Sequence, residues 1–153
     1  MNSTKLLQIS QLDEKLSKYK SLNTNDIPQR GWIRAIRTSL NMSMKQLGKR
    51  LGITAQSVKE IEEREQNLSI TLKSLKETGD ALNLKLVYGF IPVDGSLKQF
   101  VEKRALEIAS EIIQRTSKSM ELEDQKVTQK RLKEALNDKS KEIYNKLPKY
   151  LWD

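Results

Sequence analysis

The chain has 153 residues, a length that suits one domain with an appendage and a core of about two packed layers. Lys and Arg number 28 against 20 Asp and Glu, a formal charge of +8, which suits a polyanion partner because each neutralised phosphate releases condensed counterions. Cysteine and histidine are absent, which excludes disulfides and thiol nucleophiles and removes the commonest general acid/base and metal ligand, so no cofactor is expected and catalysis is disfavoured.

No apolar run reaches the ~20 residues of a membrane span, and the opening MNSTKLLQISQLDEK lacks the apolar stretch of a signal peptide. The expectation is a cytoplasmic protein with no membrane partner. Gly48-Lys49-Arg50 is not a phosphate-binding loop, because it lacks the earlier Gly and the Ser or Thr after Lys. The carboxylates interleave with Lys and Arg at helical spacing and read as solvated faces.

In chain order, a first helix is predicted from about residue 4 to residue 19, with Leu6, Ile9, Leu12 and Leu16 on its inner face. Asn, Asp and Pro over residues 21–28 then favour turns, and residues 1–27 read as an N-terminal helical arm. Residues 28–92 read as the core domain. Trp32, Ile33, Ile36 and Leu40 give its first helix an inward face. Ser43 caps the next helix, with Gln46 at the capping-box position, and Leu47 and Leu51 point inward. Gly52 ends that helix in the left-handed conformation and Ile53 fills the turn. Thr54 caps a third helix with Val58 and Ile61 buried, and Thr71 caps a fourth carrying Leu72, Leu75 and Leu82.

The segment LKLVYGFIP, residues 84–92, reads as a β-strand. No second strand candidate of comparable quality exists in the chain, so its backbone is expected to pair with the same strand of a second copy across a two-fold axis. Leu84, Leu86, Val87, Tyr88 and Phe90 would then form the seam of a homodimer. The alternative is an extended segment packed on the core without a ladder. Residues 93–153 read as a C-terminal helical extension. Ser96 caps a long helix with Leu97, Val101, Ala105, Ile108 and Ile112 on one stripe, fading at residues 116–119. The segment MELEDQ follows, then a last helix from about Thr128 with Leu132, Leu136, Ile143 and Leu147 on its apolar edge. Tyr150 and Trp152 at the tail either anchor a partner or fold back on the chain. The expected fold is thus all-α with one short strand.

The most informative stretch is SMKQLGKRLGITAQSVKEIEERE, residues 43–65: two short amphipathic helices joined by a Gly-Ile-Thr turn. The second opens with Ala55, Gln56 and Ser57, with Lys59 and Glu60 one turn on. Gln can bond adenine in a bidentate manner, Lys can donate to guanine and the Ala methyl can touch a thymine methyl. Ser43 and Thr54 sit at helix starts that favour phosphate, and Lys45, Lys49 and Arg50 border the same surface. The plain alternative is an amphipathic four-helix domain with no DNA role.

Residues 33–84 resemble the Cro/C1-type helix-turn-helix regulators. The stretch IRAIRTSLNMSMKQLGKRLGITAQSVKEIEERE follows the flow I-R-x-x-R, S-x-x-x-L, L-G-[IV]-[ST] and I-E, and TLKSLKETGDALNL matches a second motif ending Ala-Leu. The resemblance implies a lambda-repressor-like core that binds double-stranded DNA, with Gln56, Lys59 and Glu60 at base-facing positions. Met44 departs from the polar phosphate contact frequent there. Gly48 departs from the usual Ala, a helix-weakening change of up to ~1 kcal/mol. Over nearly its full length the chain also resembles the mobile mystery protein A family, on GWIRAIR, the Leu-Val-Tyr segment ending in Pro and MELEDQ. That family occurs beside proteins with a Fic domain, an enzyme fold that transfers AMP onto hydroxyl side chains. The implied role is the antitoxin of a toxin–antitoxin pair, which blocks the Fic partner and represses their shared promoter. Fic inhibitors carry the helix motif [ST]-x-x-x-E-[GN]; Ser119 and Glu123 fit it and Asp124 departs at the last position. By that resemblance Glu123 would pair with an active-site Arg of the partner. The competing reading is a protein-only inhibitor without DNA binding.

Overall fold

The structure is a computed structural model that describes residues 2–22, 24–122 and 128–153. Regular structure in it is helical: α1 (Asn2–Ser17), α2 (Trp32–Ser39), α3 (Met44–Leu51), α4 (Ala55–Gln66), α5 (Leu72–Ala81), α6 (Leu97–Leu122) and α7 (Gln129–Lys146), with a closing 3-10 turn at Lys149–Trp152. The chain divides into two compact units, one of Ser21–Gly89 and one of Met1–Lys20 with Phe90–Asp153.

In the first unit, α2–α5 pack around Ile33, Leu47, Val58 and Leu82, with Ile36, Leu51, Ile61 and Leu75 against them. Full burial of Leu47 and Val58 contributes about 1.5–3 kcal/mol per side chain. The helix starts are where the polar caps place them. Ser43 and Gln46 form a reciprocal capping box, and Thr54 and Thr71 accept from the Ser57 and Ser74 amides at 3.1 Å. Gly52 closes α3 at φ 70°, in the left-handed region.

In the second unit, α1, α6 and α7 enclose Val101, Ala105, Ala109, Ile143 and Leu151. The two alanines are fully buried, and their small side chains let neighbouring backbones approach closely. Asp13 of α1 caps α6 from outside, accepting from the Leu97 and Lys98 amides at 2.7 and 3.0 Å, while Ser96 accepts from Gln99 at 3.1 Å. The tail folds back. Leu151 is buried, the Trp152 ring lies 5.4 Å from that of Phe100, and Arg104 donates to the Leu151 and Asp153 carbonyls at 2.8 Å each.

Three expectations need correction. Residues 84–92 form no β-strand; they have no regular secondary structure. A strand needs a second backbone to bond, and among the described residues none pairs with this segment, so the strand expected to carry Leu84, Leu86, Val87, Tyr88 and Phe90 is not present. Leu84, Leu86 and Val87 instead line an apolar pocket with Trp32, Ile36 and Leu75, while Tyr88 and Phe90 are 67 % and 77 % exposed. Trp32 and Leu40 are exposed, not inward, because a two-turn helix buries only one narrow stripe. On α1 the inner face carries Asp13 and leaves Leu12 exposed. Helix α6 runs on through Leu122, beyond residues 116–119 where its apolar stripe is expected to fade. Ser119 lies on its last turns, exposed; Glu123 lies outside the described residues.

Candidate nucleic-acid interface

The geometry of α3, the turn and α4 follows from a close approach at Gly48. The Ile53 amide donates to the Gly48 carbonyl at 2.9 Å, and a Cβ at position 48 would stand 2.6 Å from the Ile53 carbonyl oxygen. Only glycine admits that approach. The departure from Ala at this position therefore sets how tightly the turn closes, at the cost of some helix propensity.

The back of α4 carries Val58, Ile61, Glu62 and Glu65 on one stripe. The carboxylates are not solvated. Glu62 is 4 % exposed and takes a bidentate contact from Arg37 of α2, Nε to Oε1 at 2.5 Å and Nη2 to Oε2 at 3.2 Å. The third Arg37 donor, Nη1, bonds the Met42 carbonyl at 2.7 Å. Glu65 is 9 % exposed and caps α2 from outside, accepting from the Trp32 and Ile33 amides at 2.6 and 2.9 Å. Gly31 has no side chain to cap α2 itself. At φ 89°, a Cβ there would sit 2.8 Å from the Glu65 carboxyl carbon, so glycine leaves the room the carboxylate needs. Two buried acids of α4 thus grip α2 and fix the roll of α4 about its own axis. The reading of all carboxylates as solvated missed them. The available signal was their spacing, which continues the Val58–Ile61 stripe at i+4 and i+7.

With the back gripped, the front is set. Gln56, Lys59, Glu60 and Glu63 are exposed on one face, while Ala55 and Ser57 are half-buried at its start. Thr54 Oγ1 lies 2.9 Å from Ser57 Oγ as well as capping the helix. Glu60 meets Arg64 at 3.5 Å, an exposed i,i+4 pair of little energetic weight. Beside this face, Lys45, Gln46 and Lys49 of α3 and Ile53, Thr54 and Ala55 border an open depression of about 540 Å³. Lys45 and Lys49 are exposed. Arg50 is also exposed, and its Nη1 reaches the Ala81 carbonyl at the end of α5, at 3.4 Å. Ser43 closes the N-terminus of α3 through its capping box. The structure therefore brings Lys45, Lys49, Thr54, Ala55, Gln56, Ser57 and Lys59 to one polar surface, with a half-buried Met44 at its edge.

No described helix is long and apolar enough to cross a membrane. Comparison with known proteins finds a match of residues 33–72 to a family model described as helix-turn-helix, a span that runs from α2 to the start of α5. No curated protein and no solved structure matches the chain. Residues 33–72 are a helix-turn-helix domain of the Cro/C1 type, a DNA-binding regulatory domain.

Proposed function

We propose that the protein is a sequence-specific repressor in which α4 enters the major groove. The observation that carries this is the division of α4 into a gripped back and a free polar front. Val58, Glu62 and Glu65 hold one side, and Gln56 and Lys59 stand exposed on the other, beside the exposed Lys45 and Lys49. In this reading residues 28–92 bind DNA, Gln56 and Lys59 read base edges, and Lys45, Lys49, Ser43 and Thr54 hold phosphates. Glu60 and Glu63 put negative charge on the same face and keep affinity modest. A single α4 spans few base pairs, so the protein acts as a homodimer on a two-fold operator. The copies meet by side-chain packing of exposed residues such as Val87 and Tyr88, not by a shared ladder.

The resemblance to the mobile mystery protein A family supports a finer role for the same protein. It would be the antitoxin of a Fic-type AMP-transferring toxin, with the region after Pro92 carrying partner contact and Ser119 and Glu123 the inhibitory motif. A protein-only inhibitor is the competing reading. Fluorescence anisotropy with the DNA upstream of the protein's own reading frame, over a salt series, separates them. The repressor reading expects binding to that DNA over scrambled duplex, with log K falling linearly in log salt. Equal, weak binding to both duplexes overturns it.

A further inference from the structure

The second unit contains a groove that its own helices leave open. Leu106 and Tyr144 line one cavity of about 370 Å³, and Ile113, Ser117 and Leu132 line another of about 450 Å³, so α6 and α7 run antiparallel with the two cavities end to end between them. The α6 stripe through Leu106, Ser110, Ile113 and Ser117 lies roughly 110° around the helix from the buried stripe of Val101, Ala105 and Ala109. Helix α1 packs its Ile9 on that buried core, and among the described residues none of α1 borders either cavity. The hairpin is thus covered on one side and open on the other. From residue 102 to residue 118 the open groove runs about 24 Å along α6, the length of a four-turn helix.

Its chemistry narrows the occupant. In the 450 Å³ half the floor is apolar, built on Ile113, Leu132 and Leu136, whereas in the other half Leu106 and Tyr144 sit among polar side chains, Glu102 included. The rim carries Lys118, Lys133 and Lys141, which have no ion pair among the described residues, whereas Lys103 on the same groove is matched by Asp94 at 3.1 Å. A DNA duplex has no apolar face to lay on that floor. A second copy of a chain with formal charge +8 meets the lysines with more lysines. Charge complementarity and the apolar floor together fit a helix with an aliphatic stripe and carboxylates along its flanks. We infer that the α6–α7 groove is the docking site for an acidic amphipathic helix of a protein partner. The inference stands on the groove alone and does not depend on DNA binding or on any named partner.

The test uses the full chain, isotope-labelled, and a panel of synthetic helical peptides of about 16 residues with Leu at i, i+3, i+4 and i+7. Each peptide is made with Glu on its flanks and again with Lys in place of Glu. Acidic members are expected to bind about tenfold or more tighter than their basic counterparts, with amide shifts along α6 and α7 around the groove. The double variant K118E/K133E, both exposed positions, is expected to reverse that preference, and Ile113→Ser to weaken every peptide. Four results would overturn the inference: no acidic member of the panel binds; acidic and basic peptides bind alike; a DNA duplex displaces the peptide from α6 and α7; or sedimentation shows self-association that K118E/K133E abolishes.

Discussion

Replacing Glu65 by Ala removes the acceptor for both the Trp32 and Ile33 amides. Hydrogen bonds to a charged group contribute about 1.5–3 kcal/mol each, and a carboxylate at a helix N-terminus adds about 0.3–1 kcal/mol. The two bonds share one carboxylate and are not additive. The Trp32 amide is part-buried and can find water once the side chain is gone, whereas the Ile33 amide is buried and cannot. One orphaned donor and the lost charge at the start of α2 give a destabilisation of about 2–4 kcal/mol. The chain has two tryptophans, Trp32 and Trp152, so the measurement belongs in a Trp152→Phe background, which keeps an aromatic ring against Phe100. Trp32 fluorescence then reports urea unfolding of the Ser21–Gly89 unit by itself. Glu63→Ala, at an exposed position on the opposite face of α4, is the control and should shift stability by less than about 0.5 kcal/mol. A loss below about 1 kcal/mol for Glu65→Ala would mean that the cap on α2 is replaceable and that Glu65 does not fix α4.

Gly48→Ala should destabilise the same unit by about 1–2 kcal/mol in the same assay, since a Cβ 2.6 Å from a backbone oxygen outweighs the helix propensity gained; a stabilised variant would mean that the turn yields. Lys49→Ala should weaken binding to all duplexes alike and lower the salt slope by about 1, whereas Gln56→Ala should cost about 1–3 kcal/mol at one base pair only, both read by anisotropy. Asp13→Ala should cost about 1 kcal/mol and speed hydrogen exchange at the Leu97 and Lys98 amides, which lose their acceptor. Hydrogen bonds from Lys146 and Lys139 hold the Glu142 carboxyl below its usual range. Its folded value is the lower one, so its contribution is present at neutral pH and lost as pH falls through that depressed value; an NMR titration midpoint at the ordinary glutamate position would refute the pairing.

What the sequence made legible was local chemistry. Ser43, Thr54, Thr71 and Ser96 cap their helices because a hydroxyl two or three residues before the first free amides meets them without help from distant chain, and Gly52 closes α3 for an equally local reason. The front of α4 was legible as the complement of Val58 and Ile61. What stayed hidden depended on partners far along the chain. Arg37 and Glu62 look like surface charges until the pair is seen, 25 residues apart, closing on each other in the core. Residues 84–92 have the composition of a strand, but composition supplies only half of a ladder. On α1, Asp13 belongs inside because its partner is the start of α6, more than eighty positions later. Apolar periodicity alone therefore put Leu12 on the wrong face.

The two sides of α4 separate two physical tasks. The back uses buried carboxylates, and a buried charge tolerates little displacement: breaking such a pair costs about 3–5 kcal/mol because the partner is left uncompensated. Apolar packing alone would let α4 roll by repacking Val58 and Ile61, since volume-conserving shifts in a core are tolerated. The Arg37 fork and the α2 amides do not permit that roll without losing directional bonds, so the azimuth of Gln56 and Lys59 is held by hydrogen-bond geometry. On the front, under the proposed function, Glu60 and Glu63 would oppose every phosphate alike and Lys45 and Lys49 would attract every phosphate alike; neither term distinguishes one sequence from another. In the proposed reading, discrimination between sequences depends on how firmly Gln56 and Lys59 are aimed, and that aim originates in residues on the opposite side of α4.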